Sequence, residues 1–521
     1  MNRVQPTGSG ARGAGMPDAG LHGDGAAEVR VAIVGSGFSG LGMGAALLEA
    51  GIRDFAILER AGEVGGTWRD NTYPGCACDV PSLLYSYSFA QNPSWSRSYS
   101  PAGEIWDYLR DFAAGRGLMG HIRFGHDVTR ATWLDDEQRW DLETSAGRLR
   151  AEVLVAAGGG LSEPSIPDIA GLESFAGPAF HSARWDHEQD LAGKRVAVIG
   201  TGASAIQIVP AIQPLAGRLH LFQRTPAWIV PRRDRAFSDR EHRLFARFPA
   251  IQSARRGALY LKHESFALGF MHPRLMRLQQ RLVLAHLRRQ VPEPELRAKL
   301  TPRYTMGCKR ILVSDDFYPS LRRDNVELVT DGIAEVRERS IVTAGGAERE
   351  VDVIVLATGF HVTDMPIAER VLGRGGRTLA DAWDGSPRAY KGVSVAGFPN
   401  LFMLSGPNTG SGNMSIVFFV ESQIRYVMGA LRTMRERGAG AVEVRAEAQS
   451  AYNAALDDRL SGAVWSVGGC GSWYLDRNGR NSTLWPGFSY PYRRLTRRFD
   501  PERYALRARR EARVAAGSTS G

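Results

Sequence analysis

Lysine is almost missing from this chain. Of its 65 basic residues only five are lysine: Lys194, Lys262, Lys299, Lys309 and Lys391. The net charge of +10 invites a nucleic-acid reading. The basic residues are, however, spread along the chain and often alternate with acids, which is not how a phosphate-binding face is built, so no nucleic-acid partner is expected. Cysteine is scarce as well. Cys76, Cys78, Cys308 and Cys470 show neither zinc-ligand spacing nor a two-residue-spaced redox pair. No metal site is expected, and reduced thiols in a cytoplasmic protein are. An unbroken apolar run is also lacking. Gly392 to Val420 carries no charge, but Gly397, Pro399, Asn400, Pro407 and Asn408 interrupt it, which argues against a membrane-spanning helix. Residues 1–28 are polar and Gly-rich with no apolar centre, and read as a disordered tail rather than a signal peptide.

What is present points to a dinucleotide. Arg30 to Val34 is a short apolar run that leads into Gly35-Ser-Gly37-Phe-Ser-Gly40, then into a helical pattern over Leu41 to Glu49 and a second apolar run, Phe55 to Leu58, ending in Glu59. A strand, a glycine turn and a helix in this order form a pyrophosphate cradle. The first glycine makes the turn, the second admits the phosphates, and the third lets the helix pack close. The unit repeats as Lys194 to Ile199, Gly200-Thr-Gly202-Ala203-Ser204-Ala205, and Leu219 to Gln223 ending in Arg224. Glu59 follows Gly35 by 24 residues and Arg224 follows Gly200 by 24, so the two positions are expected to be topologically equivalent. An acid there suits a free ribose 2′-hydroxyl, and an Arg suits a 2′-phosphate. The first site should take an adenine dinucleotide without that phosphate, and the second NADP. With no redox cysteine pair, this suggests a flavoprotein that takes hydride from NADPH.

At 521 residues more than one domain is required. The expected class is α/β, with two Rossmann-like domains and a helical insert. The expected order is FAD-binding (29–160), NADP-binding (161–232), helical insert (233–300), NADP-binding again (301–372) and FAD-binding again (373–521). The apolar runs ending at Ala157-Gly158 and at Ala357-Thr358-Gly359-Phe360 are expected to carry the crossings between domains. In the insert, Leu275, Leu278 and Leu282 recur at helical spacing, and are expected to pack on the core with Arg faces in water.

Between the two glycine signatures lies Phe175-x-Gly177-x-x-x-His181-x-x-x-Trp185, followed by Asp186. A second motif precedes it: Gly65-Gly66-Thr67-Trp68, Tyr73-Pro74-Gly75 and Asp79. Together these resemble the type I Baeyer–Villiger monooxygenases, a branch of the flavin-containing monooxygenase superfamily similar to the cyclohexanone and 4-hydroxyacetophenone enzymes. The likeness runs over about residues 28 to 500. It implies FAD and NADPH as cofactors, O2 and a small ketone as substrates, an ester or lactone as product, and a flavin peroxide as the attacking species. It implies no obligatory protein partner. The segment Tyr304 to Arg310 resembles the one that carries the family's catalytic arginine. This makes Arg310 the expected cation, Asp79 the acid that holds it, and Lys309 an assistant to Arg224. The cofactor contacts expected overall are Gly35, Gly37, Phe38, Ser39, Gly40, Glu59, Gly66, Thr67, Trp68, Asp79, Gly200, Gly202, Ala203, Ser204, Arg224, Thr225, Lys309, Thr358, Gly359, Phe360 and Asn408. The fingerprint is expected to couple NADP binding to domain closure. Ala157-Gly158 departs from the family's usual Thr-Gly, so a hydroxyl contact at the first crossing is expected to be missing.

Two alternatives remain at this point. Relatives that oxygenate nitrogen or sulfur resemble a fingerprint ending in Phe or Tyr, and Trp185 favours ketone oxidation over them. A reductase would need a redox group to receive electrons, and Cys76 and Cys78 are too close in sequence for an unstrained bridge.

Overall fold

The computed structural model describes residues 26–510; most of the N-terminal stretch read as disordered lies outside them, while Ala27 and Glu28 already belong to the first strand. That strand, β1 (Ala27–Val34), leads through the glycine turn into α1 (Phe38–Glu49) and on to β2 (Phe55–Glu59). β1 runs parallel to β2 and to β3 (Gly147–Ala156), with Val34 opposite both Leu58 and Ala156. Val31, Ala32 and Ile33 are fully buried, so the strand reads as a continuous apolar run because both faces of the sheet are covered. The antiparallel strands Val128–Leu134 and Arg139–Thr144 extend this sheet. Leu401–Met403 pairs with the end of β3, so the C-terminal third returns to the first domain.

The second sheet is parallel throughout. Its strands are β4 (Ala179–His181), β5 (Arg195–Ile199), β6 (Arg218–Phe222) and β7 (Val353–Leu356), with Val326–Val329 at one edge and β4 at the other. α2 (Ala205–Ile212) follows β5. The fingerprint peptide is therefore not a linker between two nucleotide units. Its Ala179 to His181 form the edge strand of the second, paired to β7. Its glycine is dictated by packing: a Cβ on Gly177 would lie 2.4 Å from the Asp352 carbonyl oxygen and 2.8 Å from the Phe175 ring.

One boundary shifts from expectation. Val371–Leu372 pairs with Val128–Leu134 of the first sheet, so the return to the FAD-side domain precedes residue 373. Residues 333–350 form a separate antiparallel ladder of three strands that the sequence pattern did not reveal. The Arg-rich stretch after Arg493 is not all surface: Thr496 and Tyr504 are buried, and Tyr504–Ala508 pairs with Ala439–Val444.

The insert comprises Asp239–Arg247, Pro249–Ser265, Ala267–Met271, α3 (Pro273–Gln290) and Pro294–Leu300. A capping box between Ser238 and Glu241 starts the first helix, and proline opens three of the others. At its base Ile229–Val230 pairs in parallel with Leu312–Val313, which closes the insert and fixes the chain just after Arg310. The expected apolar stripe is on the wrong face. Leu275, Leu278 and Leu282 are 50%, 63% and 74% exposed, while Met276, Val283 and Leu287 are buried. The 3–4 spacing is right, but the buried face lies one position, about 100°, further round the helix.

The cysteine expectation also fails in part. Cys308 and Cys470 are joined by a disulfide across a sequence separation of 162, and Cys76 and Cys78 are free.

Candidate active site

Asp79 and Arg310 meet as a two-pronged ion pair. Arg310 Nε donates to Asp79 Oδ2 at 2.7 Å and Nη2 to Oδ1 at 2.8 Å. Burial alone would raise the Asp79 pKa, but the charge and hydrogen bonds of Arg310 more than offset it, so the carboxyl is held below its usual range. For Arg310, the adjacent carboxylate outweighs burial and keeps the guanidinium charged. About a quarter of each side chain stays exposed (27% and 23%), so the pair is open on one side rather than sealed in the core.

The pair exists because two domains touch just before it. Tyr73 Oη donates to Gln207 Oε1 of α2 at 3.0 Å, and Gln207 Nε2 donates to the Ala77 carbonyl at 2.9 Å. Gly75, at φ +81°, lies where a Cβ would come 2.7 Å from the Gln207 carbonyl oxygen. The Tyr-Pro-Gly motif is thus the joint between the two nucleotide domains, and Asp79 follows it by four residues.

On the first-domain side the glycine signature behaves as its spacing demands. A Cβ on Gly40 would meet the Gly35 carbonyl oxygen at 1.8 Å. Gly37 and Gly66 face each other as bare backbone, a Cβ on Gly66 coming within 3.2 Å of the Gly37 Cα. That surface fits an FAD pyrophosphate. Phe38 and Ser39 open α1 beside it, with Ser39 Oγ 3.3 Å from Ser405 Oγ. Thr67 and Trp68 form a short turn of helix, and Trp68 Nε1 donates to Tyr85 Oη at 3.1 Å. Glu59 is more heavily engaged than expected. Oε2 accepts from Ser36 N at 3.0 Å and Ser36 Oγ at 2.6 Å; Oε1 accepts from Ala61 N at 3.0 Å and Arg69 Nη1 at 2.9 Å. Burial works to raise its pKa, yet these donors hold it low. A carboxylate offers about four acceptor positions, so a ribose hydroxyl must share Glu59 with Arg69. Asn408 departs further. It is buried, both its amide hydrogens go to the carbonyls of Asn481 and Leu484 at 2.7 and 3.0 Å, and its side chain clamps the C-terminal loop.

On the second-domain side the register corrects the spacing argument. Gly35 N donates to the Leu58 carbonyl and Gly200 N to that of Phe222, with Val34 opposite Leu58 and Ile199 opposite Phe222. The structural counterpart of Glu59 is therefore Gln223, whose amide is used on the Lys299 carbonyl at 2.8 Å; Arg224 is one residue beyond. Being past the strand, Arg224 is exposed and, among the described residues, takes part in no ion pair. Lys309 is near enough to feel it: burial and the Arg224 charge both lower the Lys309 pKa. Two cations whose charges act on each other favour an anion between them, which a 2′-phosphate would supply. Gly202 faces open space and, with Ala203 and Ser204, leads into α2; Thr225 lends its carbonyl to Thr201 Oγ1 at 3.0 Å. The same register moves the missing hydroxyl. A Cβ on Gly35 would meet the Ala157 carbonyl and one on Gly200 that of Ala357, so the counterpart of Thr358 is Gly158, not Ala157. Thr358 Oγ1 donates to the Ser165 carbonyl at 2.6 Å, and Gly359 follows at φ +89°.

A flavin-binding monooxygenase-like family model matches residues 28–255. A Baeyer–Villiger monooxygenase of Streptomyces coelicolor is 51% identical over 491 residues, covering 94% of this chain and 95% of its own. One of Pseudomonas aeruginosa is 50% identical, covering 92% of each chain. Among solved structures, cyclohexanone monooxygenase from Rhodococcus sp. Phi1 bound to NADP+ superposes with a TM-score of 0.83 at 28% identity, over 93% of this chain and 100% of that one. The chain belongs to the Baeyer–Villiger monooxygenases. It is an FAD- and NADPH-dependent enzyme with two dinucleotide-binding domains, and neither the heteroatom nor the reductase alternative is favoured.

In this monooxygenase the fingerprint residues divide. Phe175 packs under the edge strand and Trp185 stacks edge-on against Phe180 at 5.1 Å. His181 is buried, accepts from Ala183 N at 3.1 Å, and lies 5.5 Å from the Phe360 ring. Burial lowers its pKa to about 4, so it is neutral at pH 7. Two residues beyond Trp185, His187 Nε2 lies 2.7 Å from Thr72 Oγ1, beside the Tyr-Pro-Gly joint. The segment that carries the fingerprint is thus tied to the domain contact, although none of the four fingerprint residues hydrogen-bonds to Asp79 or Arg310. Sequence reasoning missed Tyr474. It is buried, and Arg310's charge pulls against the burial that raises its pKa to about 12, yet its hydroxyl has no hydrogen-bond partner among the described residues. Arg232 was missed too; it donates to the Cys78 carbonyl at 3.3 Å and adds a second positive charge near Asp79.

Proposed function

We propose that Arg310, held by Asp79, is the fixed cation of a ketone-to-ester oxygenation, and that Arg224 with Lys309 reads the 2′-phosphate of NADPH. FAD, once bound and reduced by NADPH, supplies the electrons that activate O2. The observation that carries the reading is the forked Asp79–Arg310 pair, open on one side, at the joint of two nucleotide domains. A guanidinium in this setting cannot lose its proton at working pH, so it favours negative charge on oxygen over the protonated form. Asp79 spends both oxygens on Arg310 and so orients the guanidinium while leaving Nη1 unbonded to it. Gly37 and Gly66 present bare backbone to the FAD pyrophosphate, Glu59 and Arg69 share the ribose, and Gly202 to Ser204 meet the NADP phosphates. No obligatory protein partner is proposed. The setting proposed is the cytoplasm. No described helix is long and apolar enough to cross a membrane.

The test is product analysis on panels of cyclic, aryl and linear ketones beside amines and sulfides. Esters or lactones formed with NADPH and O2 are expected. Oxygenation of amines and sulfides alone, with no ester from any ketone, would overturn the ketone reading.

A further inference from the structure

The stretch Gly468-Gly-Cys470-Gly-Ser-Trp-Tyr474 has no regular secondary structure. Its glycines give it no stiffness of its own. It nevertheless ends on buried Tyr474, whose hydroxyl is near enough to Arg310 to feel its charge. What holds it is a small set of ties to the Arg310 segment. Thr305 N donates to the Gly468 carbonyl at 2.9 Å. A Cβ on Gly468 would lie 2.6 Å from the Cys308 Cβ, so the two backbones are in close contact there. The Cys308–Cys470 disulfide, with Cα atoms 6.2 Å apart, closes the joint two residues before Arg310. Cys308 is fully buried, while Cys470 is only partly buried, so of the two residues Cys470 is the nearer to solvent.

We propose that Cys308–Cys470 is a reversible thiol–disulfide site whose closed form positions Tyr474 against Arg310. Hydrogen peroxide closes it. The Cys470 thiolate attacks one peroxide oxygen, the O–O bond breaks, and Cys470 becomes a sulfenic acid with loss of water. The Cys308 sulfur then displaces the second oxygen as water and the S–S bond forms. Two thiols lose two electrons, and one peroxide becomes two waters. A dithiol opens it. One of its thiolates attacks Cys470, Cys308 leaves and takes up a proton, and the second thiol of the reagent releases Cys470 as the reagent becomes a disulfide. Opening leaves the 468–473 stretch with a single backbone hydrogen bond to the Arg310 segment. Cys308 and Cys470 are positioning residues in this scheme; neither contacts the reacting atoms.

The thiol half of the test uses the full-length holoenzyme, denatured in an alkylating agent and weighed. As purified without reductant it should add two alkyl groups, on Cys76 and Cys78. After dithiothreitol it should add four, and after removal of dithiothreitol and addition of hydrogen peroxide, two again. Four groups at the outset, or a failure to return to two, overturns the site. The positioning half uses limited proteolysis. Cleavage between 468 and 473 should appear only in the opened protein, and in Cys470→Ser whatever the reagent. If Cys470→Ser does not fold, the dithiol-treated wild type gives the same reading. Opening should lower kcat for ketone oxidation by on the order of tenfold, the scale of a small misplacement, while the rate of flavin reduction by NADPH stays unchanged. An opened protein with unchanged proteolysis and unchanged kcat overturns the positioning role. The kcat arm rests on the Arg310 assignment; thiol count and proteolysis do not, so failure of that assignment alone would leave those two results intact.

Discussion

Replacing Arg224 by alanine tests the second nucleotide site most directly. Arg224 lies two residues past the end of β6, exposed, and its charge acts on Lys309. A 2′-phosphate bound there would take charge-assisted hydrogen bonds from both. Hydrogen bonds to charged groups contribute about 1.5–3 kcal/mol. Because Arg224 is exposed and solvent screens it, the lower half of that range applies, about 1.5–2 kcal/mol. At about 1.4 kcal/mol per factor of ten, Arg224→Ala should weaken NADPH binding by about 10- to 30-fold. NADH lacks the phosphate, and removing one of the two cations costs it nothing, so its affinity should change by less than about twofold. The assay is anaerobic stopped-flow reduction of the flavin over a range of NADPH and NADH concentrations. The Kd should rise for NADPH alone, with the limiting rate of reduction unchanged for both. The double variant with Lys309→Ala should cost less than the sum of the two single changes if the pair grips one phosphate. Raising the salt should shrink the wild-type preference and leave that of the variant nearly flat. Equal loss for the two nucleotides, or none for either, refutes the assignment of the phosphate to this pair.

Arg310→Ala should abolish ester formation while reduction of the flavin by NADPH survives, measured by stopped-flow reduction beside product analysis. Near wild-type ester formation would remove Arg310 from the chemistry. Asp79→Asn should cost stability in a pH-dependent way. The folded pKa of Asp79 lies below its ordinary 3.8, so the pair stabilises the fold fully above the unfolded pKa and loses that contribution as pH falls through the folded one. Urea titrations should therefore show a constant wild-type minus variant difference from about pH 6 to 8, narrowing below about pH 4; a difference that grows on acidification would contradict the sign. Gly177→Ala places a methyl 2.4 Å from the Asp352 carbonyl oxygen, and should destabilise the chain by about 1–3 kcal/mol, read as a lower urea midpoint. A neutral outcome would mean that the edge strand can shift to make room.

Whatever depended on neighbours in sequence was legible. Gly35, Gly37 and Gly40 are close along the chain; Gly40 avoids a clash with the turn itself and Gly35 one with the adjoining strand end, while Gly37 leaves the opposing Gly66 bare, so the pattern of residues contains the geometry. The phase of a helix is another matter. Leu275, Leu278 and Leu282 share a face with the spacing of a core, and nothing local says that Met276, Val283 and Leu287 would be chosen instead. The choice is made by what the insert packs on. The Glu59 and Arg224 comparison failed for a similar reason. Equal spacing from the glycine implies equivalence only if the two helices and their return loops are equally long. The second unit reaches its strand one residue sooner, which puts Gln223 where Glu59 stands and pushes Arg224 out beyond the strand. That displacement strengthens the NADP reading, because it carries the guanidinium clear of the sheet and into reach of Lys309.

The Asp79–Arg310 pair lies 231 residues apart in sequence, and no spacing rule could have joined it. Resemblance named its members, but the reason they meet is physical. The bare Cα of Gly75 lets the first domain's loop settle on Gln207, and the ladder between Ile229–Val230 and Leu312–Val313 brings the chain back across the insert beside it. Tyr474 then arrives from a third segment, on glycine-rich chain that Thr305 and Cys308 tie to the Arg310 segment. The fingerprint contributes none of these groups. It stands behind the joint, through His187 on Thr72, as the edge strand of the sheet that Gln207's helix covers. A change in NADP occupancy that moved this sheet would move Gln207, and with it the loop bearing Asp79. By that route the fingerprint would bear on the chemistry through the position of a carboxylate it never touches.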